Sequence, residues 1–250
     1  MKVFPRAMLA AAISVAVASI LIYSAPVRAT LWHPGDEITY TQTFWSDDPT
    51  ASSILSSDYN TVYAATLGVV EVGIPGASGF SMRFSDPSFV LAYLPASGTP
   101  AALDADVLNP ATTSSGIFGG DVLALQFNVD FSDAGFLAGA SGIPFGDLVL
   151  ENFSTLPNLN GLTVGQFLSD VNVLLGGGTS IYDIATLDPI TFDLSAAFFA
   201  GDPFGGPGEV SQFAQDHLVA PGTTAAPEPS SLVLIGIGLA GLGFSRRRKH

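Results

Sequence analysis

Residues 123–131 read Leu-Ala-Leu-Gln-Phe-Asn-Val-Asp-Phe, and the prediction of the fold class starts from this stretch. Every second position carries a large apolar side chain, and the positions between them are small or polar. A period of two is typical of a β-strand that buries one of its faces. Residues 123–131 therefore predict a central strand.

Other stretches on both sides of this segment also favour strands. Residues 38–44 alternate apolar side chains with threonines, and residues 61–74 are rich in Val and Tyr. Residues 79–84, 88–94 and 148–153 predict three further strands, and glycines at positions 76, 98, 119, 120 and 142 supply turns between the runs. This pattern predicts a mainly β, antiparallel β-sandwich-like domain.

One or two helices are expected to pack against these strands. Thr163 followed by Gln166 matches a capping box, the next residues carry one apolar face, and glycines at 176–178 supply an end. A second short helix is predicted to begin at Asp193, with Leu194, Ala197 and Phe198 facing inward.

The charges are distributed very unevenly along the chain. It has 22 acidic residues and 8 Lys or Arg, and all the acids but Glu228 lie between residues 30 and 226. Arg83 is the single Lys or Arg in that stretch, so its net charge is −20. Nucleic acid is excluded as a partner because its binding requires several phosphates to be neutralised. The absence of Lys from the stretch also excludes a P-loop and a Schiff-base enzyme.

The chain contains no Cys, so disulfides and thiolate zinc sites are excluded. About half of the residues (48%) are hydrophobic, which is far more than an acidic disordered segment contains. A single hydrophobic core is therefore expected.

The N-terminus has the features of a secretory signal peptide. Lys2 and Arg6 precede an apolar run, and small residues stand at the −3 and −1 positions of a cleavage site after Ala29. Residues 1–29 are therefore predicted to direct export and to be removed by signal peptidase. The competing interpretation is an anchor helix that is not cleaved.

The C-terminus combines three features in a fixed order. Pro227, Glu228 and Pro229 are followed by an apolar segment and then by Arg246, Arg247, Arg248 and Lys249. Residues 231–245 predict a transmembrane helix, which is short for a hydrocarbon core of about 30 Å. The basic cluster would hold the extreme C-terminus in the cytoplasm. Residues 220–226 are expected to be a linker, so residues 30–219 form the predicted acidic extracytoplasmic domain.

Residues 227–249 resemble the PEP-CTERM sorting signal of Gram-negative surface proteins, because all three of its parts are present in order. The resemblance implies exosortase as the processing enzyme, with Pro227, Glu228 and Pro229 as the recognised residues. It implies an inner-membrane-anchored precursor that is delivered to the cell surface or extracellular matrix of a biofilm-forming host, with exopolysaccharide as a further partner. The competing interpretation is a plain tail anchor that contains a chance Pro-Glu-Pro sequence.

Calcium is the cofactor that the acidic domain is best suited to hold, if it holds any. Asn128, Asp130 and Asp133 place oxygen side chains at the end of the predicted central strand, and hard cations prefer oxygen ligands. The spacing does not match an EF-hand, and the same residue types also serve local hydrogen bonds in turns.

No enzyme class is indicated by the sequence. His33 and His217 are the histidines available as a catalytic base, and both lie near an end of the acidic domain. The acids would supply many pairs suited to a glycosidase, but any acidic domain would do so. The sequence therefore predicts a non-enzymatic surface or matrix protein. The alternative is a carbohydrate-binding or carbohydrate-active module that uses the acids together with Trp32 and Trp45.

Overall fold

In a computed structural model, residues 31–199 and 208–222 are described, and Thr30–Gly222 form one compact unit. The described residues contain seven α-helices, which are α1 (Gln42–Asp47), α2 (Pro49–Val62), α3 (Pro87–Tyr93), α4 (Gly116–Asp133), α5 (Val164–Leu175), α6 (Ile184–Ser195) and α7 (Gln212–His217). Seven short strands accompany them, namely β1 (Val70–Gly73), β2 (Ser81–Phe84), β3 (Val107–Leu108), β4 (Val149–Leu150), β5 (Phe198–Phe199), β6 (Glu209–Val210) and β7 (Leu218–Val219).

The strands form three small separate sheets. β2 pairs antiparallel with β1 and parallel with β3, and β4–β7 and β5–β6 are two-stranded antiparallel pairs. The prediction of a mainly β sandwich is therefore wrong, because most of the regular structure in the described residues is helical.

Helix α4 is the centre of the core, and it contains the residues that predicted the central strand. It packs against α1, α5, α6 and β1. Residues 118–125 are all buried, and so are Phe127, Asn128, Val129 and Phe131. A helix that is buried on nearly every side does not show a 3.6-residue period, so the chance alternation of large and small residues carried no information about its conformation.

Local capping explains a second error. Residues 88–94 were predicted as a strand, but Pro87–Tyr93 form α3. The Asp86 carboxylate accepts from the Ser88 backbone N–H (2.8 Å), and Pro87 occupies the first turn, where its missing N–H costs nothing.

The other predicted elements are confirmed only in part. Of residues 38–44, the last three belong to α1, and of residues 61–74 only Val70–Gly73 form a strand. β2 and β4 lie within the predicted strands 79–84 and 148–153. Asp193 lies near the end of α6 and does not start a helix, although Leu194, Ala197 and Phe198 are buried as expected.

The predicted helix after Thr163 is confirmed. The Thr163 hydroxyl accepts from the Gln166 backbone N–H (3.1 Å), and the Gln166 side chain accepts from the Thr163 N–H (2.9 Å). This reciprocal pair satisfies two donors at the start of α5, and the apolar face of the helix is buried against α4.

Within residues 31–199 and 208–222, no helix has the length and apolar composition needed to cross a bilayer. The predicted transmembrane helix (231–245), the signal peptide (1–29) and most of the linker (220–226) lie outside the described residues.

Candidate functional site

A groove of about 830 Å³ opens on one side of the domain, between α4, the end of α2 and the solvent face of the three-stranded sheet. This volume lies within the range that is usual for ligand sites. Six charged or polar side chains line it, and they come from β1, β2, α4 and the turn after α2: Tyr63, Glu71, Arg83, Gln126, Asp130 and Asp133.

The α4 wall of the groove is a polar stripe on an otherwise buried helix. Gln126 and Asp130 are four residues apart, so they lie on the same face one turn from each other. The Gln126 amide donates to both carboxylate oxygens of Asp130 (2.9 Å each). This stripe is where α4 meets solvent, because the neighbouring turns of the helix face the core.

Asp130 is held by a third hydrogen bond from across the groove. The Tyr63 hydroxyl donates to its carboxylate (2.8 Å). Burial raises the pKa of Asp130, and the hydrogen bonds from Gln126 and Tyr63 oppose that rise. Burial and the neighbouring Asp130 charge raise the pKa of Tyr63 well above its usual value. Asp130 therefore ties the turn after α2 to the α4 wall of the groove.

Asp133 is an exposed carboxylate at the end of the same wall. Partial burial raises its pKa, and the negative charges of Asp130 and Asp147 raise it further. Within the described residues its side chain makes no hydrogen bond, so both of its oxygens are available to a ligand.

Arg83 stands on the opposite wall, on the solvent face of β2. It lies between Glu71 of β1 and Leu108 of β3 in the strand register, and its side chain is exposed. Among the residues that the structure describes, no ion pair engages Arg83. Glu71 accepts a hydrogen bond from the Ser81 hydroxyl (2.6 Å). The only Lys or Arg of the acidic domain therefore lines the groove with a guanidinium that has no ion-pair partner among the described residues.

The three predicted calcium ligands do not come together. Asn128 is fully buried on the far side of α4, where its side chain accepts from the Tyr40 N–H (2.8 Å) and donates to the Tyr40 carbonyl (2.9 Å). Only Asp130 and Asp133 line the groove. In the described part of the chain, no three His, Cys, Asp or Glu side chains form a group that could hold a metal ion.

The two tryptophans are core residues and present no binding surface. Trp45 is fully buried against Tyr40, Phe127 and Phe131. Trp32 is also buried, and its indole N–H donates to the Leu218 carbonyl (2.8 Å).

The two histidines lie apart from the groove. His33 has an exposed side chain beside Asp36, and His217 stacks on Phe153 with ring centroids 4.2 Å apart. Neither lines the groove, so the groove has no histidine base.

Sequence reasoning missed Tyr63, Glu71 and Gln126 as site residues. Gln126 and Asp130 would have been recognised as one polar face had residues 123–131 been interpreted as a helix. Arg83 stood out as the only base, but nothing in the sequence placed it opposite α4.

Pro227, Glu228, Pro229, Arg246, Arg247, Arg248 and Ala29 lie outside the described residues. Residues 225–249 match the family model for the PEP-CTERM protein-sorting motif. No curated protein and no solved structure matches the chain. The C-terminus is thus a PEP-CTERM sorting motif, exosortase is the processing partner that it implies, and the protein is exported to the cell surface or the extracellular space.

Proposed function

We propose that the acidic domain is a non-enzymatic binding module of the cell envelope or extracellular matrix, and that its groove binds a neutral, hydroxyl-rich polysaccharide. The observation that carries this proposal is that one groove is lined both by the Arg83 guanidinium, which has no ion-pair partner among the described residues, and by the Asp133 carboxylate, which makes no hydrogen bond there. A sugar hydroxyl both donates and accepts hydrogen bonds, so neighbouring hydroxyls can use an arginine and a carboxylate together.

The charge of the domain supports a neutral ligand. Residues 30–226 have a net charge of −20, and Arg83 is the single Lys or Arg among them. An anionic polymer would therefore be repelled over most of the surface. A neutral polymer meets no such barrier.

The hydrogen bonding of Asp130 supports a role in binding without catalysis. A retaining or inverting glycosidase requires two carboxyl groups that are free to act on the substrate. Both oxygens of Asp130 are already engaged by Gln126, and one of them also by Tyr63. Asp133 is then left without a matching partner on α4, and Glu71 on β1, the remaining carboxylate of the groove, already accepts from the Ser81 hydroxyl (2.6 Å).

The ligand is expected to bind weakly at each groove, because the lining provides no exposed aromatic ring to stack on a sugar. Display of many copies at a surface would compensate through avidity. On this proposal, residues 1–29 are removed after Ala29, and the precursor is anchored in the inner membrane through residues 231–245 until exosortase acts.

Affinity electrophoresis of the purified acidic domain through gels that contain a neutral polysaccharide tests the proposal. The panel of dextran, starch and galactomannan is compared with alginate, which is anionic. Retardation is expected in at least one neutral gel and not in alginate. Arg83→Ala is expected to weaken binding about tenfold to a hundredfold, which is the usual cost of losing hydrogen bonds to a charged group.

A matched pair of variants separates the groove from the general surface charge. Asp133→Asn removes one negative charge inside the groove, and Asp104→Asn removes one from an exposed position outside it. Only Asp133→Asn should change retardation. Equal behaviour of the two variants, or full binding by Arg83→Ala, would contradict the proposal.

A further inference from the structure

Two carboxyl groups lie at α4 and α6, which pack against each other: one is buried in the core and the other is half-buried. Asp121 of α4 is only 2% exposed, and its carboxylate accepts from the Gln42 side-chain amide of α1 (3.0 Å). The other end of Gln42 accepts from the Ala96 backbone N–H (2.8 Å). Gln42 is thus held in place, and it supplies Asp121 with one neutral donor.

Asp188 of α6 is the second carboxyl group. Its Oδ1 is buried and has no hydrogen-bond partner among the described residues. Its negative charge raises the pKa of Asp121. Asp188 as a whole is half-buried, but charge on this oxygen is costly because neither water nor a donor stabilises it there.

No cation of the acidic domain neutralises this pair. Arg83, its only Lys or Arg, lines the groove on the sheet. The ionisable groups that face Asp121 are Asp188 from α6 and Tyr93 from α3, whose hydroxyl is hydrogen-bonded to Thr113 (3.2 Å). His217 acts on Asp193, near the other end of α6. Protonation is therefore the remaining means of removing the charge.

The helix that carries Asp188 has other weak points. Pro189 lies inside α6 and deprives the helix of one backbone hydrogen bond. The hydroxyl of Ser195, at the end of α6, is a second buried polar atom without a partner in the described residues. An unsatisfied buried group and a missing backbone hydrogen bond each lower the free energy that is needed to open an element locally.

We propose that the contact between α4 and α6 is a pH-sensitive latch, which is closed when Asp121 is protonated and loosens when Asp121 and Asp188 are both ionised. In the closed state a protonated carboxyl carries no buried charge and gains a donor. In the loosened state α6 moves away from α4, and water reaches the Asp121 carboxylate and the buried oxygen of Asp188.

The direction of the pH dependence follows from the pKa values. Burial, and then the charge of Asp188, raise the pKa of Asp121 from 3.8 to about 7, and Gln42 only partly opposes this. Burial also raises the pKa of Asp188. A closed state with the higher pKa binds more protons than the open state, so its stability falls as the pH rises from about 4 to about 7.

Amide hydrogen exchange of the full-length protein in detergent tests the latch. Protection factors of α6, corrected for the intrinsic effect of pH, are compared at pH 5.5 and pH 8.5. A group with a pKa of about 7 is expected to lower the protection of α6 by roughly thirtyfold between these two values. Asp121→Asn keeps an oxygen to accept from Gln42 and carries no charge, so it should remove most of that difference.

Two further variants keep the test decisive. Asp188→Asn should also reduce the pH dependence of α6, and it is measured alongside Asp121→Asn in case either variant does not fold. Asp104→Asn, at an exposed position, should leave the pH dependence as in the wild type. The latch is refuted if wild-type α6 is equally protected at both pH values. It is equally refuted if the folded Asp121 and Asp188 variants keep the full thirtyfold change.

Discussion

Glu37 is a buried carboxyl group whose pKa is raised in the folded domain. It is 1% exposed, and its Oε2 has no hydrogen-bond partner among the described residues. Its other oxygen accepts from the Ser141 hydroxyl. Burial raises the pKa of Glu37 to about 7, the Ser141 hydrogen bond opposes this, and the charge of Asp36 adds to it.

Replacement of Glu37 by Gln should stabilise the domain at alkaline pH. A carboxyl whose pKa is higher in the folded state contributes less to the free energy of unfolding as the pH rises from about 4.5 to about 7. Gln cannot ionise and still accepts from Ser141. We therefore expect Glu37→Gln to raise the free energy of unfolding by on the order of 1–2 kcal/mol at pH 8 and to change it little at pH 4, as measured by urea denaturation.

Glu209→Gln is the control for this substitution, because Glu209 is exposed on β6. It removes the same charge from the surface. An equal stabilisation by both variants would assign the effect to the net charge of the domain and would contradict a role for the burial of Glu37.

At the scale of the elements, the close packing of α4 should make the replacement of its glycines by larger residues destabilising. Gly120 contacts the region of Gln42 and Ala96, and a Cβ at this position would meet the Gln42 side chain and lie 2.8 Å from the Ala96 Cβ. Gly120→Ala should therefore destabilise the domain by about 1–3 kcal/mol, even though Ala favours a helix by about 1 kcal/mol over Gly.

Gly165→Ala on α5 provides the comparison in thermal and urea denaturation. A Cβ there would lie 3.3 Å from the Gly146 carbonyl oxygen, which requires a shift of only a few tenths of an ångström. Its effect should stay within about 1 kcal/mol of zero. A Gly120→Ala protein as stable as the wild type would show that α4 is less tightly packed than described.

The elements also show which parts of the fold were predictable. Thr163 and Gln166 correctly predicted the start of α5, because a capping box is a local signal that tertiary packing does not alter. Asp86 and Pro87 carried an equally local signal for α3, but the apolar residues after them also suited a strand. For α4 no local signal existed, since its N-cap residue Ser115 makes no side-chain capping hydrogen bond and the helix is buried on nearly all sides.

The groove was less predictable than the fold. Its lining residues lie between positions 62 and 134 of the chain, and Arg83 and Asp130 line the same groove only because the sheet packs on α4. The sequence identified Asp130 and Asp133 as neighbours, but it assigned them to the wrong element and grouped them with Asn128.

At the scale of the whole molecule, the acidic domain is followed by a sorting tail whose charge is of the opposite sign. The motif at residues 225–249 contains four of the eight bases and a single acid, Glu228. The sorting motif and the proposed binding groove therefore lie in separate parts of the chain and can be tested separately.

The double variant Glu228→Ala, Pro229→Ala should block processing by exosortase. We expect the unprocessed precursor to accumulate in the membrane fraction and the protein to disappear from the cell surface, as measured by fractionation and immunoblotting. Thr223→Ala, Thr224→Ala changes two residues of the neighbouring predicted linker and should be processed normally. Normal processing of the Glu228→Ala, Pro229→Ala variant would show that exosortase does not recognise Pro-Glu-Pro.

The proposed binding groove is tested most directly by an NMR titration of the isotope-labelled acidic domain. The titrant is an oligosaccharide of whichever neutral polysaccharide retards the domain in affinity electrophoresis. We expect the largest shift changes at the Arg83 side-chain N–H and the Gln126 amide, and loss of the Gln126 change in Arg83→Ala. Shift changes confined to residues outside the groove, or none at saturating oligosaccharide, would contradict the account.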